Sequence, residues 1–171
     1  RRATQNIDNN VQLNAKIAFV QNLINRYKKT NEKLPDKDKY KVVVYSQFID
    51  HGIQLIKNII DVPSVTISGQ TKVAERAAIC DKYNKGLITV IFLTKAGGEG
   101  LDLKGTDSII LMEPTWNDNQ SEQVIARAIR YKSHENRPEN RRKVYVYRLA
   151  HVSNDDRSKE TTEYILSLIH I

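Results

Sequence analysis

The chain has 171 residues, 40% of them hydrophobic, with a formal net charge of +7 and a single cysteine. That length suits one domain with its own core, and the positive balance favours an anionic partner, nucleic acid first. The lone Cys80 excludes an internal disulfide and a cysteine-rich zinc site, which points to a reducing intracellular setting. His51, His134, His151 and His170 are scattered without metal-ligand spacing, so no metal site is expected. Neither a membrane-length apolar run nor a signal peptide is present, and the first residue, Arg1, suggests a piece of a longer protein.

In chain order, residues 9–29 carry Val11, Ile17, Val20, Leu23, Ile24 and Tyr27 near helical spacing. Residues 30–40, "TNEKLPDKDKY", are charged and aperiodic and read as a solvated loop. "KVVVYSQF" (41–48) is a short apolar strand of the kind buried on both faces of a parallel sheet. A helix is predicted over 49–60 despite Gly52, then a strand over 62–68 and a helix over 73–86 stopped by Gly86 at a C′ position. Further strands are predicted over 87–94, 108–114 and 143–151, with a helix over 119–132 between the last two. The tail 153–171 begins polar and then reads as a helix, with Tyr164, Ile165, Leu168 and Ile169 on one apolar side. The expected organisation is a leading helix and linker (1–35), an α/β domain (36–152) and a C-terminal helical extension (153–171).

Such alternation predicts an α/β fold, a mainly parallel central sheet with helices on both faces and right-handed crossovers. Ligands of such sheets bind where strands deliver their carboxyl ends into loops. That brings "SQF", "SGQT", "TKAGGEG" and "EPTWND" to one rim. The third loop puts Gly97, Gly98 and Gly100 within four positions of a chain holding seven glycines, the mark of a sharp bend or close approach. On the helix over 119–132, Gln123, Arg127 and Arg130 share a face at i, i+4 and i+7, while Val124, Ile125, Ala128 and Ile129 can anchor it on the sheet. Arginine forks match phosphate oxygens. The same arginines could equally stay solvated or pair with Glu122.

"KVVVYSQF", "SGQT…R" (68–76), "TKAGGEGLDL", "DSIILMEPTWNDNQSEQ" and "QVIARAIR" resemble, in order, the motifs of the second RecA-like domain of superfamily 2 helicases, closest to the Snf2-like branch. The resemblance covers about residues 14 to 150. "RAIRYKSHENRPENRRKVYVYRL" (127–149) is similar to a narrower group, the ATPases of large DNA viruses that serve transcription of their own genomes. Two departures from the Snf2-like pattern leave the subfamily open and the domain unaffected: Tyr131, Lys132, Ser133 and His134 replace a usual Gly-Gln pair, and Asp118 stands where proline is common.

The resemblance implies a C-terminal RecA-like lobe of an ATP-dependent helicase or translocase. Arg130 falls on the arginine finger and Arg127 on its supporting arginine. Gln123, Gly100 and Asp102 fall on the ATP side, with Asp102 placed to accept a ribose hydroxyl bond. Ser46, Gln47, Gly69, Thr94, Lys95, Gly97 and Gly98 fall on the nucleic-acid side. Trp116 lies either against that backbone or in the core. ATP and Mg²⁺ would be held mainly by the first RecA-like domain, because the chain has neither a G-x-x-x-x-G-K-[ST] loop nor a DExx box. The isolated chain is therefore expected to be inactive. Implied partners are that first domain, nucleic acid (DNA ahead of RNA) and transcription proteins, with no membrane, in the nucleus, the cytoplasm, or a viral factory or virion. The rival class is a non-catalytic RecA-like scaffold or nucleic-acid-binding module of a transcription or replication complex. Intact residues on the ATP side argue against it.

Overall fold

The computed structural model describes residues 2–95, 97, 101–113, 122, 123, 125, 126, 129, 130, 132–150 and 165–170. Three helices, α1 (Arg2–Asn31), α2 (Gln54–Ile59) and α3 (Val73–Asn84), alternate with strands β1 (Val42–Tyr45), β2 (Ser64–Ile67), β3 (Val90–Leu93), β4 (Ser108–Leu111), β5 (Lys143–Arg148) and β6 (Ile165–His170). The sheet order is β2-β3-β1-β4-β5-β6. The first five strands run parallel and β6 pairs antiparallel with β5. The mainly parallel sheet expected from the alternation is therefore present.

Every residue of β1, β3 and β4 is buried, as continuous Val/Ile runs demand of strands covered on both faces. β5 alternates instead, with Val144 and Val146 buried and Tyr145 exposed. One face carries α1 and α2: Val20, Leu23, Ile24, Ile53 and Ile56 pack on Val42, Val44, Phe92 and Ile110. The other carries α3 and the helical residues 122, 123, 125 and 126, where Ile79, Tyr83 and Ile125 pack on Val43, Ile91 and Ile109. Tyr27 ties α1 to β4 by a 2.6 Å hydrogen bond with Ser108 Oγ. Among the described residues no helix is long and apolar enough to cross a membrane.

α3 ends as its sequence requires. Gly86 has φ +79°, and its N–H and that of Leu87 donate to Tyr83 O and Lys82 O, the bond pair of a Schellman motif.

Three expectations are corrected. Residues 49–53 form one π-turn before α2, so the helix expected over 49–60 starts irregularly. Residues 165–170 form β6 where a helical extension was expected; apolar residues in a short window fit either period, and pairing covers the open edge of β5. The charged loop after α1 is held down rather than solvated throughout. Asn31 exchanges two bonds with the Tyr40 backbone, and the carbonyls of Lys37, Asp38 and Lys39 accept bonds from Arg137 and Arg141. Residues 153–164 of the expected extension lie outside the described residues.

Candidate nucleotide and nucleic-acid faces

Strand register builds the rim. Tyr45 is opposite Leu93 and Leu111, and Ile67 is opposite Leu93, so Ser46, Ser68, Thr94 and Met112 leave the sheet side by side. Backbone bonds continue past the strands, from Ser46 N to Leu93 O, Thr94 N to Ile67 O and Met112 N to Tyr45 O. Three of the four loops expected there, "SQF", "SGQT" and the start of "TKAGGEG", thus share one edge. The fourth reaches it through Glu113.

Glu113 organises the first loop. Its carboxylate accepts 2.8 Å from Ser46 Oγ and 3.0 Å from the Gln47 amide. Ser46 is fully buried, and its hydroxyl also meets the backbone of Phe48, so it is engaged inside the turn where a phosphate contact was expected of it. Gln47 and Lys95 are exposed at the rim, while Thr94 is buried beside them. Gly69 is exposed in the turn after β2. Arg76, one turn into α3, fixes that turn by donating to Thr71 O and Ser68 O. Gly97 is explained by internal packing: a Cβ there would stand 2.1 Å from Ile67 O, so the expected role of backbone freedom toward nucleic acid is not what requires glycine. Gly98, Gly100, Trp116 and Arg127 lie outside the described residues.

The segment after the glycines descends along α3. Leu101 and Leu103 are fully buried and Asp102 between them is exposed, the alternation of an extended strand-like stretch. Asn84 holds it by donating to Asp102 O and accepting from Lys104 N. Arg130 is exposed beyond half-buried Ile129, whose N–H bonds Ile125 O at 3.0 Å. Both charged residues act on buried Cys80. Burial pushes its thiol pKa up, a hydrogen bond with the Asp102 backbone opposes that, the Asp102 carboxylate raises it further and Arg130 lowers it. Asp102, held on α3 by Asn84, and Arg130 are thus both near enough to Cys80 to act on its charge, below the rim. Gln123 is exposed among the helical residues before Arg130; Ile129 and Arg130 are no longer helical, so the helix expected over 119–132 ends early. The structure thus places Gln47, Thr94 and Lys95 at the rim, and Asp102 and Arg130 below it, near Cys80.

An exposed guanidinium with an exposed carboxylate suits the phosphate and ribose ends of a nucleotide, and so fits part of ATP. Among the described residues no group of three or more His, Cys, Asp or Glu side chains could hold a metal ion.

Three residues escaped the sequence reading. Arg76 had a signal, since it closes the "SGQT…R" pattern. Glu113 and Asp107 had none: their partners lie 66–67 and 30–66 residues away.

This fold and rim define a RecA-like α/β lobe of the superfamily 2 type. The model of the helicase conserved C-terminal domain matches residues 16–132, and the chain belongs to that family. A protein of Acanthamoeba polyphaga mimivirus bearing the name "Putative ATP-dependent RNA helicase L538" is 38% identical over 133 residues, 75% of this chain and 30% of its own length. Protein CHROMATIN REMODELING 19 of Arabidopsis thaliana is 30% identical over 67% of this chain and 15% of its own. Nucleoside triphosphatase I of Choristoneura biennis entomopoxvirus is 30% identical over 69% and 20% respectively. The similarity thus runs to Snf2-like and large-DNA-virus proteins, and the chain spans less than a third of each. Among solved structures, the C-terminal part of the Fun30 ATPase domain superposes with a TM-score of 0.56 at 23% identity, covering 69% of this chain and 37% of that one, a likeness of fold.

Proposed function

We propose that the chain is the C-terminal lobe of an ATP-dependent nucleic-acid translocase, acting on DNA ahead of RNA. The observation that carries this reading is that Arg130 and Asp102 are both exposed and both act on Cys80 of α3, on a flank apart from the polar rim. The flank faces ATP and Mg²⁺ held by a preceding RecA-like domain, with Arg130 as the finger, Arg127 its support, and Asp102, Gly100 and Gln123 completing the nucleotide side. Bound ATP supplies the phosphoryl group whose hydrolysis drives the cycle. The rim tracks a strand through Gln47, Thr94 and Lys95, with Gly69, Gly97, Gly98 and Trp116 beside them and Ser46 shaping the turn. Such contacts position a strand without reading its sequence. Closure of the two lobes on both ligands, and reopening after hydrolysis, moves one lobe along the strand. A scaffold module would give no reason for an exposed arginine beside an exposed acid on this flank.

In the full-length enzyme, Arg130→Ala should leave ATP affinity within about twofold and lower kcat by roughly 10³ or more, the scale of arginine-finger losses. Equilibrium nucleotide binding and steady-state hydrolysis test this together. Equal loss of both would assign the residue to folding. The isolated chain, lacking a phosphate loop, should show no turnover above background.

A further inference from the structure

At the amino ends of the strands, away from the rim and bordering the flank at Asn84 and Ser133, lies a cavity of about 440 Å³, lined also by Lys37, Asp38, Lys41, Lys104 and Arg137. Lys41 immediately precedes β1 and Ser46 immediately follows it, so the cavity and the rim stand about five strand rises, roughly 16 Å, apart.

We infer that this cavity binds a small anion carrying linked phosphate groups. Three observations converge. Lys41 is 2% exposed, and its ammonium donates to Tyr83 O (3.1 Å) and Lys104 O (2.5 Å) above the Tyr83 ring. An ammonium has three donors; two meet these carbonyls, and Lys41 also lines the cavity. The neighbouring carboxylate, Asp107, is already used by Arg141 Nη2 at 2.9 Å, Arg137 Nη2 at 3.5 Å and the Lys41 amide. Two guanidiniums thus share that carboxylate, and the Lys41 ammonium beside them bonds only carbonyls, an excess of positive charge that an anion would offset. Lys37 and Lys104 are exposed on the cavity lining, facing only Asp38 as an acid there, while Lys85 is paired with Asp81. Arg137 spends its fork on the carbonyls of Lys37, Lys39 and Gly105, so the ligand would meet lysine point charges rather than a carboxylate-matching fork. The volume exceeds the need of one carboxylate or phosphate and suits two or three joined phosphates. Burial first, then Arg137 and Arg141, pushes the Lys41 pKa down to about 7, with Asp107 opposing. Occupancy by an anion would draw a proton onto it.

Calorimetric titration of the chain with tripolyphosphate at low salt and pH 7.5 tests the site. Micromolar binding is expected, weakened at least tenfold by Lys37→Ala with Lys104→Ala, two exposed positions whose loss leaves the fold intact. Arg130→Ala should change it less than twofold. Repeating the titration in buffers of different ionisation enthalpy should show proton uptake that Lys41→Met removes. The groups facing Lys41 are Arg137, Arg141, Asp107, His134 and Tyr83, none of which is changed in that variant. Absence of binding at millimolar concentration, or binding lost with Arg130→Ala and indifferent to Lys37 and Lys104, overturns the inference. Displacement of tripolyphosphate by a short DNA duplex, relieved in the Lys37/Lys104 double variant, would overturn the small-molecule site in favour of a backbone phosphate.

Discussion

Glu113 uses both carboxylate oxygens to hold the turn after β1, one for Ser46 Oγ and one for the Gln47 amide. Glutamine offers one oxygen, so with that oxygen on the Gln47 amide its NH2 must donate to Ser46 Oγ, and two charge-assisted bonds become neutral ones. Glu113→Gln should therefore cost about 1–2 kcal/mol in urea unfolding and loosen the exposed Gln47 contact, weakening nucleic-acid affinity more than nucleotide affinity. Arg137 is the sharper case. It is 5% exposed, bonds the carbonyls of Lys37, Lys39 and Gly105, and faces buried Asp107. Removing it leaves a carboxylate short of charge and several carbonyls unpaired, so Arg137→Ala should cost about 3–5 kcal/mol. Arg137→Lys should recover only part of that loss, because one ammonium cannot span the fork's contacts. At this scale the sequence announces residue type and not partner. Arg130 and Asp102 were nameable from their motifs, but nothing in "NRRK" says that Arg141 stacks 3.8 Å over Tyr40 and reaches Asp107.

Elements were more legible, because their causes are local. Apolar runs of strand length gave β1 to β5 to within a few residues, and the glycine after α3 marked its end. Gly86 cannot be replaced cheaply: its φ of +79° disfavours an L side chain, and a Cβ would stand 1.7 Å from Asp36 O. Gly86→Ala should lower stability by more than about 2 kcal/mol, visible as a lower urea midpoint with an unchanged slope. The tail was misread for a physical reason. "ILSLIH" is apolar enough for a helix side or a strand, and the open edge of β5 that makes it a strand is supplied by residues about twenty positions earlier.

For the whole molecule, pH reports the buried basic cluster. His134 is 2% exposed, with Nε2 bonded to Thr106 O at 2.7 Å and Nδ1 to Ser133 Oγ at 2.8 Å. Burial is the largest cause of its lowered pKa. The unfolded chain therefore takes up the proton first, and stability should fall as pH drops below the ordinary histidine value of about 6.5. Lys41 acts over a higher range: its pKa is 10.5 when unperturbed and about 7 here, so its contribution rises from pH 7 toward 10.5. Urea midpoints should increase from pH 6 to 9, and Lys41→Met should flatten the part above 7. With its net charge of +7, the chain should also bind duplex weakly and without sequence preference, with affinity falling as salt rises.

Sequence by itself determined the parallel sheet, the order of its motifs and the identity of the charged residues proposed to meet a nucleotide and a strand. Each of those depends on side-chain periodicity or on spacing within one segment. Only the tertiary structure decided that Arg130 and Asp102 both lie near Cys80 of α3, that Ser46 is consumed by Glu113, and that Lys41 is buried among arginines beside a cavity. Those outcomes depend on which strand ends are neighbours, and a charge carries no local record of the partner that folding will bring to it.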